Sequence, residues 1–414
     1  MTDILIIGGG IIGVTAAYFL ADAGVNVTLV EKGDIAAGSS YGNAGLICPC
    51  HSEPIPRAGV LTQGLKWLLD AESPFYIKPR LDPELVRWLW HFQAHCNETA
   101  VHRAIPLLRD MQRESLRLYQ TLIAQEQIEC DFEKKGGLTL FRTQAGLEKG
   151  QHEVEKMRRF GLNMELLPEA AAVRALEPNI HPSIVGGIYY LEDAHINPAR
   201  FVYALAEAAQ AKGVTLLTDT EVLGFDVGKR GITAVRTSRG KLAAQQIVLA
   251  AGAWSTPIAR QLGLAIPMQP AKGYSLTLPR PTNFLHTHLH LAEARVAVTP
   301  MGSLLRLAGT LELAGFDLAI NQRRVNAIRR AANDYLVGLE NQEPVEIWRG
   351  LRPCPPDGLP YIGRTTRHPN LIIATGHAML GISMGPVTGQ LVAQLACDQQ
   401  TTLDLTPFSP DRFA

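Results

Sequence analysis

Three glycines and an acid open this 414-residue chain at a spacing suited to phosphate and ribose chemistry: Gly8, Gly10, Gly13 and Glu31. Gly8 suits a tight turn, Gly10 lets backbone approach a pyrophosphate, and Gly13 lets a helix pack closely on a strand. The first N–H groups of that helix carry partial positive charge toward the phosphates. Glu31 follows Gly13 by 18 residues, where a carboxylate can accept both ribose hydroxyls. The glycine pattern alone also describes ordinary turns. Here an apolar strand (3–7) precedes it, a helical pattern runs to Gly24, and a second strand (26–30) ends on Glu31. That full context reads as a dinucleotide-binding unit. Cys48-Pro49-Cys50 is the one close pair among six scattered cysteines. It lacks a second pair at zinc-site spacing, so no metal site is expected.

The elements that must position these residues do not continue as simple strand–helix alternation. Residues 33–58, rich in Gly, Ser, Pro and Asn, read as extended loop. Residues 82–130 read as helical, with apolar positions at Leu85, Trp88, Leu89 and Phe92. A strand is expected at 137–141. Asn197-Pro198 opens a helix that Gly213 ends. Short β segments follow near 221–227, 231–237 and 244–251. Residues 265–315 look mostly β and 319–338 helical. The tail returns to α/β character, with a strand at 371–375 and a helix from about Ile382 to Cys397. Nucleotide-type signals therefore stand at the start, middle and end. They imply a cofactor domain built from separated segments, 1–50, 137–262 and 340–414, with a substrate domain (51–136 and 263–339) inserted between them.

Composition bounds the reading. The chain is 46% hydrophobic and 19% charged, and its 39 basic residues balance 39 acidic ones. That is globular, with no electrostatic footprint for nucleic acid. No apolar run is long enough to span a bilayer, and no signal peptide is read at the N-terminus, so a cytoplasmic location is expected.

Several motifs in order carry a resemblance that spans essentially the whole chain. They are Gly8–Gly13 with Glu31-Lys32; 38–45, from Gly38-Ser39-Ser40 to Asn43-Ala44-Gly45; Ala250-Ala251-Gly252-Ala253-Trp254-Ser255; Lys272-Gly273-Tyr274-Ser275; Trp348-Arg349-Gly350-Leu351-Arg352-Pro353; Asp357-Gly358-Leu359-Pro360; and Gly376-His377 through Gly381. The sequence resembles the D-amino-acid oxidase/glycine oxidase superfamily of flavoproteins, and most closely its bacterial D-amino-acid dehydrogenase branch. The resemblance implies tightly bound FAD. It also implies an α/β fold in which a discontinuous Rossmann-like FAD-binding domain carries an inserted mixed-sheet substrate domain, D-amino-acid oxidase-like, with a β-sheet roof over the flavin.

The resemblance assigns roles residue by residue. Gly8, Gly10, Ile12 and Gly13 would face the pyrophosphate and Glu31 the adenosine ribose. Lys32 would flank that ribose or stand as a solvated charge. Ser39 and Ser40 would offer donors to the pyrophosphate or cap a turn. Asn43, Ala44, Gly45 and Leu46 would contact the cofactor, and Val222 would touch adenine through its backbone. Ala251 and Gly252 would admit the dinucleotide closely, and Trp254 either joins them or packs in the core. Gly376, His377, Gly381, Ile382, Ser383 and Met384 precede the last helix, whose N-terminus would stabilise negative charge on the reduced flavin.

Arg352 would grip a substrate carboxylate bidentately and so fix the Cα–H bond over the flavin, or else form a structural salt bridge. Tyr274 either adds a hydrogen bond to that carboxylate or packs in the sheet. His51, with Glu53, either lines the pocket entrance or is structural.

The chain also departs from its relatives. Glycine oxidases carry an arginine where Met379 stands. No cysteine matches the covalent flavin attachment of monomeric sarcosine oxidases, since Cys354 sits within Pro353-Cys354-Pro355-Pro356, so FAD is expected to be noncovalent. The expected reaction is oxidative deamination of a D-amino acid, cyclic ones such as D-proline or hydroxyproline included, with a quinone or carrier protein as electron acceptor. The alternatives are a glycine- or sarcosine-type amine oxidase, the catalytic subunit of a heteromeric dehydrogenase, and a flavin-binding protein without turnover. Leu65, Trp67, Leu68, Leu69, Phe75, Tyr76, Trp88 and Trp90 concentrate apolar bulk. They read either as inter-domain core or as a patch meeting a partner or the inner face of the cytoplasmic membrane. An oligomer is compatible with the sequence.

Overall fold

A computed structural model describes residues 2–60, 73–229 and 231–414. Two large sheets organise it. The first has six strands in the order 361–364, 371–375, 244–249, 2–7, 27–30 and 215–217. All its pairings are parallel except that of 361–364 with 371–375. Its central strands are buried on both faces, which is why Ile4–Ile7 and Ile247–Leu249 read as continuous apolar runs. The strand order interleaves the start, middle and end of the chain, so the Rossmann-like part is discontinuous as expected.

The second sheet has nine strands, in the order 346–354, 269–279, 304–313, 296–301, 288–291, 137–141, 186–190 and 164–167, with 75–77 paired to 304–313. The segment 265–315 is indeed mostly β. Four strands from segments expected with the cofactor sheet, 137–141, 164–167, 186–190 and 346–354, lie here instead. The strand 137–141 pairs with 288–291 and 186–190, and 346–354 pairs with 269–279. A short strand buried on both faces looks alike in either sheet, so only long-range pairing could assign 137–141. Conversely, Leu116, Tyr119 and Leu122 of the helix 98–125, expected in the inserted part, pack with Ile4 and Ile6 beneath the six-stranded sheet.

Local chemistry explains the helix boundaries. The segment 82–130 forms two helices, Pro83–His95 and Glu98–Gln125, because Asn97 stops one and caps the next by accepting from Ala100 N. Asn197 caps Pro198–Ala211 in the same way. The last helix starts at Gly385, three residues later than expected. It crosses the first helix, Ile11–Asp22, closely: a Cβ on Gly389 would come 2.5 Å from the Thr15 carbonyl carbon, and Thr15 Oγ1 donates to Gly385 O at 3.0 Å.

The aromatic-rich region divides. Trp88 is buried, stacks on Phe92 and donates from Nε1 to Cys354 O at 2.9 Å. Trp90 is exposed, and Phe75 and Tyr76 are half-buried on the edge strand. Leu65, Trp67, Leu68 and Leu69 lie outside the described residues. No helix among the described residues is long and apolar enough to cross a membrane.

Candidate functional site

One cavity of about 1000 Å³ runs from the glycine turn at the first strand to the nine-stranded sheet. Gly8, Gly10, Ile12, Glu31, Lys32, Ser39, Ser40, Asn43, Ala44, Leu46, Val222, Ala251, Gly252, Trp254, His377, Gly381 and Ile382 all line it. So do the substrate-side residues Arg352, Tyr274 and His51.

The nucleotide end is built from backbone. Gly8 has φ +115°, and a Cβ there would come 2.5 Å from Ala250 O. A Cβ on Gly13 would come 1.9 Å from Gly8 O, so glycine is what allows the helix to meet the strand. The Glu31 carboxylate accepts from Gly9 N at 2.7 Å and Gly33 N at 3.1 Å, which fixes it on the cavity wall with lone pairs to spare. Lys32 is exposed, and its Nζ lies 3.7 Å from the centroid of the Trp254 ring.

The two serines divide their work differently from expectation. Ser40 Oγ accepts from Ile11 N at 2.9 Å and so caps the helix facing the cavity. Ser39 Oγ donates to Leu351 O at 2.5 Å, which ties the nucleotide loop to the Arg352 strand and engages its proton there.

Five expected contacts do not reach the cavity wall. Gly13 shapes the crossing just described. Gly45 (φ +74°) approaches Ile196 O, and Gly376 (φ +84°) packs on Tyr361. Ser383 donates to Gln112 Oε1 at 2.7 Å and accepts from Cys48 N at 3.1 Å. Met384 is buried in the core with Leu108 and Val387. His377, which does line the cavity, bonds Thr388 Oγ1 through Nε2 at 3.0 Å. Burial pulls its imidazole down to about 3, so the ring is neutral.

At the far end the nine-stranded sheet forms a roof. Trp348, Gly350 and Arg352 stand opposite Ser275, Gly273 and Ala271, so all six share one face. Glycine makes room on it. Cβ atoms on Gly42 or Gly350 would come 2.0 Å from the Trp348 ring, and one on Gly273 would come 2.1 Å from Arg352 Nη1. Arg352 Nη1 donates to Thr310 O at 2.6 Å. Thr310 holds φ +66°, an uncommon value for a β-branched residue. Arg352 has no carboxylate partner among the described residues, and burial lowers its pKa below the ordinary arginine value. A desolvated guanidinium on a cavity wall without an anion is a seat for a ligand carboxylate.

Tyr274 lines the cavity, but its hydroxyl donates to Glu312 Oε2 at 3.0 Å and accepts from Asn321 N at 3.3 Å, which favours the sheet-packing alternative over a bond to the substrate carboxylate.

His51 packs against Tyr190 and His290 at ring-centroid distances of 4.3 and 4.4 Å. Its Nε2 is 3.5 Å from Asp193 Oδ2. Burial pulls the His51 imidazole down to about 3 and pushes the Asp193 carboxyl up to about 6. Glu53 is paired with Arg57 and Lys156 at 2.9 and 2.8 Å.

Sequence reasoning missed Trp348, Gly273 and Thr310 as site builders. It also missed Arg306, which donates to Tyr41 O and Asn43 O and holds the nucleotide loop to the roof. Period-two alternation through 348, 350 and 352 was a usable signal for Trp348.

The cavity thus runs from a glycine turn suited to a dinucleotide to a sheet whose Arg352 guanidinium has no carboxylate partner among the described residues. Residues 3–395 match the DAO family, described as FAD dependent oxidoreductase. A D-amino acid dehydrogenase of Vibrio atlanticus is 32% identical over 423 residues, spanning 99% of this chain and 100% of that one. Another, from Bradyrhizobium diazoefficiens, is 33% identical over 421 residues and 99% of each chain. Among solved structures, glycine oxidase from Geobacillus kaustophilus superposes with a TM-score of 0.79 at 25% identity, covering 99% of this chain and 98% of that one. L-proline dehydrogenase from P. horikoshii shares the fold, with a TM-score of 0.77 at 21% identity over 100% and 97% of the two chains. The chain belongs to the DAO family of FAD-dependent oxidoreductases. The glycine cradle, the Glu31 carboxylate and the cavity volume fit that cofactor.

Proposed function

We propose that this protein oxidises the Cα–N bond of a D-amino acid, cyclic secondary amines such as D-proline or hydroxyproline included, and passes the electrons to a quinone or carrier protein. The observation that carries this is the Arg352 guanidinium at the roof end of the nucleotide cavity, which has no carboxylate partner among the described residues. FAD, bound noncovalently, supplies the hydride acceptor. The relatives named D-amino acid dehydrogenase support the substrate class.

Arg352 grips the substrate carboxylate with the N–H groups that the Thr310 carbonyl does not take. This fixes Cα toward the nucleotide end, where orientation supplies much of the rate. The neutral amine's lone pair assists departure of hydride, and the resulting imino acid hydrolyses in water. Burial keeps His51 and His377 neutral and weakly basic, and hydride departure needs no side-chain base. Trp348, Leu351 and the aliphatic residues of the roof exclude water from the reacting carbon.

The test is the visible spectrum of the purified protein under nitrogen with D-proline, D-alanine and their L-forms. Bleaching by a D-form alone is expected, with slow return of colour in air. Bleaching by L-forms only would overturn the stereochemical assignment. Rapid reoxidation by air would favour the glycine- or sarcosine-type oxidase reading.

A further inference from the structure

Beside the cavity, three segments distant in sequence bring a thiol, a carboxylate and an imidazole together. The two-residue strand Leu46–Ile47 pairs antiparallel with Ala194–His195, with Ile47 opposite Ala194. That register sets Cys48 opposite Asp193. The strand His288–Leu291 lies beside Gly137, and a Cβ on Gly137 would come 2.1 Å from His288 Nε2, so this glycine leaves room for the ring. Cys48 Sγ is 3.6 Å from His288 Nε2, and that nitrogen is 3.8 Å from Asp193 Oδ2. The three residues are 2%, 0% and 0% exposed.

The protein satisfies this cluster only in part: Cys48 Sγ and His288 Nε2 pair with each other, and Asp193 Oδ1 accepts from Cys50 N at 3.1 Å. Asp193 Oδ2 and His51 Nε2 are buried without a hydrogen-bond partner among the described residues, although they are 3.5 Å apart. Among the described residues no lysine or arginine pairs with Asp193; the groups nearest its Oδ2 are the neutral imidazoles of His51 and His288. A fully buried carboxylate without a cation is costly. Tetrahedral zinc, with bonds of about 2.0–2.3 Å, holds its ligand atoms about 3.3–3.7 Å apart, close to the separations seen here.

We propose that Cys48, Asp193 and His288 bind a divalent zinc-type cation. One thiolate with imidazole and carboxylate donors selects zinc over calcium or magnesium. The ion pins the segment after the nucleotide loop to the roof sheet. Binding displaces the thiol proton to solvent and changes no oxidation state.

The experiment incubates the flavin-loaded protein with zinc chloride and passes it over a weak chelator. Metal content and zinc X-ray absorption are then measured. The expected result is about one zinc per chain, with one sulfur scatterer at about 2.3 Å and nitrogen or oxygen at about 2.0 Å. Cys48→Ser should lose the sulfur shell, and Cys130→Ser, a buried cysteine elsewhere, should keep it. If Cys48→Ser does not fold, the spectrum of the unaltered protein still decides. Retention of no zinc, or a coordination shell without sulfur, overturns the site. Neither readout depends on the amino-acid substrate.

Discussion

Gly273 lies directly against the Arg352 guanidinium, so that a Cβ at 273 would come 2.1 Å from Nη1. The side chain missing at one strand position is what seats the charged one on its neighbour. Gly273→Ala must therefore displace the guanidinium while leaving the nucleotide end untouched. Steady-state kinetics should show KM raised about 10-fold or more, with flavin content unchanged. An unaltered KM would show that the arginine takes its working position elsewhere.

Removing the guanidinium itself should be more severe. Two charge-assisted hydrogen bonds of about 1.5–3 kcal/mol each correspond to a drop in kcat/KM of about 100-fold or more for Arg352→Ala. Arg352→Lys keeps the charge but not the fork, and should recover only part of the loss. Equal activity of the lysine variant and the parent would remove bidentate recognition from the account.

Glu31 is held by Gly9 N and Gly33 N on the nucleotide wall. Glu31→Ala loses both contacts and the acceptor for the ribose. Purified variant is expected to lose flavin on gel filtration, with FAD affinity lowered about 10–100-fold. Retention of a full flavin complement would place the ribose contact on another residue.

Thr310 carries its carbonyl to Arg352 from a left-handed backbone. Glycine adopts φ +66° without the β-branched penalty, so Thr310→Gly should raise stability by about 1 kcal/mol and keep the carbonyl in place. Thermal unfolding checks this, and a clear fall in Tm would mean that the threonine side chain, not its neighbours, holds the turn.

Glu293 joins the start of the helix 144–158 to Tyr335 by accepting from Arg142 N, Thr143 N and the Tyr335 hydroxyl. Burial pulls its carboxyl up, but these donors outweigh burial and hold it below its ordinary value. A lowered carboxyl value stabilises the fold above the unfolded value of about 4.3 and ceases to do so as pH falls through the folded one. Because the group is partly exposed, Glu293→Gln should cost only about 1 kcal/mol at neutral pH. The gap in Tm between parent and variant should close in acid, and a gap independent of pH would assign the loss to packing.

The nucleotide half of the site was legible because its logic is local. Gly8, Gly10, Gly13 and Glu31 lie within a single strand–helix–strand unit, where spacing alone fixes geometry. The roof was legible only in part. Arg352 stood out by its motif, but Tyr274 in the equally recognisable Lys272–Ser275 run turns its hydroxyl to Glu312. Which face a strand residue occupies depends on the register of its neighbours and on bulges such as the one between Lys272 and Tyr274.

The metal-ligating cluster was illegible for a stronger reason. Cys48-Pro49-Cys50 has no zinc-like partner nearby in sequence, because Asp193, just before the strand 194–195, and His288 come about 145 and 240 positions onward. By itself the sequence determined the cofactor class and the α/β plan, since these rest on periodicity and contiguous motifs. Only the tertiary structure decided which sheet owns 137–141, which serine caps the helix, where Tyr274 points and what surrounds Cys48. Those outcomes depend on pairings between distant segments, whose energies no local pattern encodes.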